Sequence, residues 1–145
     1  MPFILTNPIG RLVQVHMHGL MTIDEAQQIR TSMYLLLSAL PRKAVILTDM
    51  VEAEQFSAEV GDRMLEMLMH DNPKVERTGF IMKKGPFSYK VERICLDAAR
   101  AAKAADKVPP QRRVFFDKSS VLVWLSETLT SVEQAQLRVT ISHIP

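Results

Sequence analysis

Several groups of residues in this sequence are of types that could do chemistry. His16 and His18 stand at i, i+2 in an alternating run, so both project from one face of a strand and could supply two metal ligands. A metal site needs a third or fourth ligand. The single cysteine, Cys95, falls in the apolar stripe of a helix, where a thiol packs as a small hydrophobe and makes a poor nucleophile. No metal site is therefore expected. His70 closes a helix, a place where a cation is favourable in any case. Asp49, Glu52 and Glu54 lie close together but do not form a paired acid and base. Lys83 and Lys84, followed by Ser88 at a helix start, are a candidate anion site, because free backbone N–H groups at a helix N-terminus favour a phosphate or carboxylate.

Recognised catalytic signatures are missing. Gly10, Gly19, Gly61, Gly79 and Gly85 are isolated from one another, so there is no phosphate-cradling loop and no dinucleotide fingerprint. No Gly-x-Ser-x-Gly elbow occurs. With no residue set that assigns an acid, a base and a nucleophile, neither an enzyme nor a cofactor is expected.

The elements that must position these residues follow from periodicity. Ile4–Thr6 and Leu12–His18 are β-prone runs joined by Asn7-Pro8-Ile9-Gly10, which predicts a β-hairpin. Thr22-Ile-Asp-Glu25 reads as a capping box opening a helix with Ile23, Ala26, Ile29, Met33, Leu36, Leu37 and Leu40 at helical spacing, which stops at Pro41. Ala44–Thr48 is a continuous apolar run, the mark of a strand covered on both faces, and 49–56 is expected to be a loop. Ser57 caps the next helix, with Val60, Met64, Met67 and Leu68 inward. A second buried strand is predicted over Thr78–Met82. A helix follows over about 87–105, and the last strand spans Arg113–Phe116. Asp117 or Ser119 caps a helix with Val121, Leu122, Leu125 and Leu129 inward; Trp124 lies beside that stripe. Thr130-Ser-Val-Glu133 is a second capping box, predicting a short helix over 131–138 and a tail over 139–145. The expectation is one α/β domain over 1–145, with a hairpin leading into a mostly parallel sheet flanked by helices.

Composition bounds the function classes. At 145 residues, 47% hydrophobic, 23% charged and a formal net charge of +2, the chain is of ordinary globular type. It has no apolar run long enough for a membrane span, and one cysteine fits a reducing cytoplasm. The near-neutral total hides an asymmetry: residues 1–73 carry nine acidic and five basic side chains, and residues 74–113 carry eleven basic and four acidic. The acidic side, densest from Asp49 to Asp71, and the basic side could meet charged partners or each other across a homodimer. Nucleic acid is a poor fit, because only 6% of residues are aromatic and few stacking platforms exist.

The order of elements, together with Asp49-Met-Val-Glu-Ala-Glu-Gln-Phe-Ser57, resembles the STAS family of anti-sigma-factor antagonists of the SpoIIAA type, whose fold is related to CRAL-TRIO lipid-transfer domains. The resemblance runs from about Ile4 to Leu129. It implies a right-handed βα superhelix and a role in binding a regulatory protein rather than in catalysis. On that alignment Asp49 matches the strand-end aspartate, Ser57 falls at the helix cap, and Ala58 and Glu59 stand where the family's two serines would be. The usual phosphorylatable Asp-Ser-Ser-Gly motif is thus absent. The implied partner-binding residues are Asp49, Ser57, Glu59 and Asp62. A small-ligand or lipid carrier of the CRAL-TRIO-like type is the alternative, and the nine methionines would suit an adaptable apolar cavity.

Overall fold

The computed structural model describes residues 3–70 and 72–145, and for Met69, His70 and Asn72 the backbone alone. The side chain of His70 and the acidic Asp71 therefore lie outside the described residues. Five strands form one sheet in sequential order: β1 (Phe3–Ile9), β2 (Leu12–Gly19), β3 (Ala44–Ala53), β4 (Val75–Ile81) and β5 (Gln111–Phe115). β1 and β2 are antiparallel, and every later neighbour pairs in parallel. The helices are α1 (Ile23–Ala39), α2 (Ala58–His70), α3 (Pro86–Ala104), α4 (Lys118–Ser126) and α5 (Ser131–Ser142).

The expected α/β architecture with its N-terminal hairpin is observed; the capping box forms at Thr130, whereas Thr22 is an N-cap whose hydroxyl also donates to the Glu25 carboxylate, so the reciprocal half of its box is not made. The Thr22 hydroxyl accepts the Glu25 N–H, and the Thr130 hydroxyl accepts the Glu133 N–H while the Glu133 carboxylate accepts the Thr130 N–H. Asp117, rather than Ser119, caps α4. Trp124 is buried, and the Arg77 guanidinium stacks 4.3 Å from its ring centroid.

Several boundaries differ from the sequence reading. β1 runs on through residues 7–9, where a turn is expected, β4 starts at Val75 rather than Thr78, and β5 starts at Gln111 rather than Arg113. Two further differences are larger. β3 runs on to Ala53, so residues 49–53 are strand and not loop. Pairing to β2 satisfies their backbone where hydropathy alone ended the strand. The C-terminal helix reaches Ser142 instead of ending at 138, because Leu137, Ile141 and Ile144 continue its buried stripe against the sheet.

The sheet separates two cores. On one side α1, α2 and α3 bury Val13, Val15, Ile46, Met50, Phe80 and their partners. On the other, α4 and α5 cover Leu12, Val45, Leu47, Ile81 and Phe115. The second layer approaches closely: a Cβ built on Gly79 of β4 would lie 2.9 Å from Val121 Cγ2. The hairpin tip is tied to α5. Gly10 adopts φ +53°, and a Cβ there would collide with the Glu133 carboxylate, which accepts the Arg11 backbone N–H at 2.8 Å. The Arg11 guanidinium reaches Glu76 and the carbonyl oxygens of Lys43 and Thr128, joining β2, β4 and the α4–α5 turn.

Candidate functional site

The residues singled out from the sequence occupy three separate places. The first is the start of α2. Ser57 is exposed, and its hydroxyl accepts the Val60 N–H at 3.2 Å, as an N-cap should. Glu59 and Asp62 are exposed on the first turns. The preceding loop is pinned from α3: Lys90 Nζ donates to the Phe56 carbonyl at 2.5 Å and lies 5.0 Å from the Phe56 ring centroid. Further along α2, Glu66 is engaged by Arg30 at 3.5 Å and by Arg63 at 3.4 Å. Among the described residues Glu59 and Asp62 have no such ion pair.

Asp49 does not join that group. α2 packs on the first core, whereas the Asp49 side chain faces the other side of the sheet, toward α5. It is 6% exposed; its Oδ1 accepts the Val51 N–H at 3.1 Å and its Oδ2 lies 2.8 Å from His16 Nδ1. A carboxylate can only accept, so Nδ1 carries the proton and Nε2 is turned outward. The rings of His16 and His18 are 5.9 Å apart between centroids. No cluster of three or more metal-ligating side chains is found among the described residues.

The third place is the β4–α3 turn. Lys83 and Lys84 are exposed, and Lys84 Nζ sits 6.0 Å from the Phe116 ring centroid. Ser88 is fully buried. Its hydroxyl donates to the Gly85 carbonyl at 2.8 Å and accepts the Gly85 N–H at 3.0 Å, so it is consumed in closing its own turn and does not face the two lysines' solvent side.

Among the described residues, three groups have clearly shifted proton affinities. Burial pushes the Cys95 thiol up to about 11, against the opposing pull of Arg112. The Ser120 backbone N–H, then its hydroxyl, hold Asp117 below the usual carboxylate range. At Glu133 burial acts upward, but the N–H groups of Thr130 and Arg11, the Thr130 hydroxyl and the Arg11 charge outweigh it and lower the value. The pairs His16–Asp49 and Arg11–Glu133 were not legible in sequence as partners. For Asp49 the available signal was a polar residue following the apolar run of β3 at a position that keeps its inward alternation.

With this geometry in hand, solved structures supply a match. A protein of the DUF3478 family from Shewanella loihica PV-4, described as having a SpoIIAA-like fold, superposes with a TM-score of 0.57 at 17% identity, over 85% of this chain and 93% of that one. The unphosphorylated anti-sigma factor antagonist SpoIIAA superposes with a TM-score of 0.54 at 15% identity, over 88% of this chain and 99% of that one. The fold is SpoIIAA-like. That agrees with the architecture expected from the order of elements. No family model matches the sequence, and no curated protein matches it. Among the described residues no helix of this SpoIIAA-like chain is long and apolar enough to cross a membrane.

Proposed function

We propose that the chain is a non-catalytic regulatory module that binds a protein partner through the acidic start of α2, at Ser57, Glu59 and Asp62. The observation that carries this reading is the contrast along one helix. Glu66 is spent on Arg30 and Arg63, while Glu59 and Asp62 stand exposed beside the helix's positive N-terminal end without an ion pair among the described residues. Exposed carboxylates held on a rigid helix suit a basic patch on a partner and speed the encounter. The likeness in fold to an anti-sigma factor antagonist supports a regulatory protein as that partner. On the resemblance, Ala58 and Glu59 stand where the family's two serines would be, so in this reading the negative charge is built in rather than added by a kinase.

Affinity capture from a lysate of the source organism tests it, comparing the wild type with Glu59→Lys/Asp62→Lys and with Glu92→Lys on α3 as a control. The double reversal is expected to lose a protein that the control retains. Identical captured sets for all three would refute the reading.

A further inference from the structure

On the face of the sheet opposite the α2 rim, a cleft of about 260 Å³ opens between β1, the C-terminal part of β2 and β3, and the end of α5. Its walls are apolar at Ile4, Leu47 and Ile144. The polar groups among its lining residues are hydroxyls, an amide, two imidazoles and the carboxylates of Asp49 and Glu52, with no lysine or arginine.

The backbone is built to bring both carboxylates to His16. On β2, His16 and His18 are two residues apart, but their partners on β3, Asp49 and Glu52, are three apart. β3 therefore carries one extra residue, a bulge. In a regular strand residues i and i+3 point to opposite faces. The bulge turns Glu52 to the side that Asp49 already faces, and its Oε1 comes to 3.8 Å from His16 Nε2. Bulges of this kind re-aim side chains beside functional sites. Asp49, nearly buried, fixes the imidazole through Nδ1. Among the described residues Nε2 has no hydrogen bond, and 3.8 Å leaves it beyond reach of Glu52.

We infer that this cleft binds a small organic amine, with its ammonium group between His16 Nε2 and the Glu52 carboxylate and its apolar body against Ile4, Leu47 and Ile144. An ammonium can donate to the Glu52 carboxylate and to the Nε2 of a neutral imidazole, and it meets the negative charge of Asp49 and Glu52. An anion meets two carboxylates and no lysine or arginine. The volume lies just below the roughly 300–1,000 Å³ of drug-sized sites, so the ligand is small.

The test is a titration of the ¹⁵N-labelled protein with benzylamine, benzyl alcohol and benzoate, followed by amide resonances. Benzylamine is expected to shift the amides of His16, Val51, Glu52 and Thr140 saturably, and the other two probes to leave them in place. Glu52→Gln, at a half-exposed side chain whose loss leaves the fold intact by the same spectrum, weakens benzylamine binding about tenfold. The inference is overturned if neither benzylamine nor butylamine shifts these amides at millimolar concentration. It is equally overturned if benzyl alcohol or benzoate binds there as well as the amine, or if Glu52→Gln binds benzylamine as the wild type does. None of these readouts involves the α2 rim.

Discussion

Replacing Glu133 by alanine tests whether the hairpin tip and α5 are held together as the geometry says. Glu133 is 5% exposed; one oxygen accepts the Arg11 N–H at 2.8 Å and the other the Thr130 N–H at 2.9 Å. Truncation strands both donors. An unsatisfied buried donor costs about 1–3 kcal/mol. The Arg11 N–H is buried and stands at the upper end, while the Thr130 N–H is partly reached by water and stands at the lower end. The sum is about 3–4 kcal/mol, a large share of a domain stability of about 5–15 kcal/mol. With a urea slope of about 2 kcal/mol/M, the unfolding midpoint falls by about 1.5–2 M. Glu133→Gln keeps one acceptor and turns an NH₂ toward the other donor, so it loses about half as much.

Acid supplies a second readout for the same residue. The folded carboxyl is held below its unfolded value, so its contribution is complete above the unfolded pKa of about 4.3 and disappears as pH falls through the folded one. The stability gap between wild type and Glu133→Gln is therefore constant near neutrality and closes on acidification. A cost under about 1 kcal/mol for Glu133→Ala, or a gap that widens in acid, would refute the account.

Other substitutions and probes follow from the packing. Gly79→Ala puts a methyl group against Val121, a stiff β-branched side chain on the closely packed α4, and should cost about 1–3 kcal/mol by urea denaturation; a neutral or stabilising result would show that α4 can move away. Cys95, with its thiol raised to about 11 by burial, should react with iodoacetamide at neutral pH far more slowly in the folded protein than in urea, read by mass spectrometry; equal rates would contradict its packing in the core.

Much of the fold was readable because it is written locally. Thr130 announces its helix through a capping box, Thr22 and Asp117 through N-caps, and Ala44–Leu47 is marked by an unbroken apolar run. The errors came where long-range pairing overrides local signal. Asp49, Glu52 and Glu54 look like the start of a loop, yet Asp49 and Glu52 continue β3, because β2 supplies hydrogen-bond partners and His16 supplies a partner for the Asp49 carboxylate. Periodicity ends the helix after Thr130 early because its last inward residue, Ile141, is isolated in sequence and gains its meaning from the sheet it covers. Ser88 read as an anion ligand by residue type; its complete burial and its two hydrogen bonds to Gly85 depend on how α3 seats on the core.

The position of Asp49 separates two uses of one sheet. A strand-end aspartate read in sequence belongs with the serine cap that follows it eight residues later, and the resemblance groups the two. In three dimensions Asp49 faces the α5 side of the sheet, while Ser57, beyond the end of β3, caps α2 on the other. Among the described residues, Glu59 and Asp62 share no hydrogen bond or ion pair with His16, Asp49 or Glu52. Substitutions on the two faces should therefore act independently. Charge reversal at Glu59 and Asp62 is expected to leave amine binding by the cleft unchanged within twofold, and Glu52→Gln to leave the captured protein partner unchanged. Coupling larger than that in either direction would mean that the bulge in β3 transmits a change across the sheet, and the static separation of the two faces would be the wrong description.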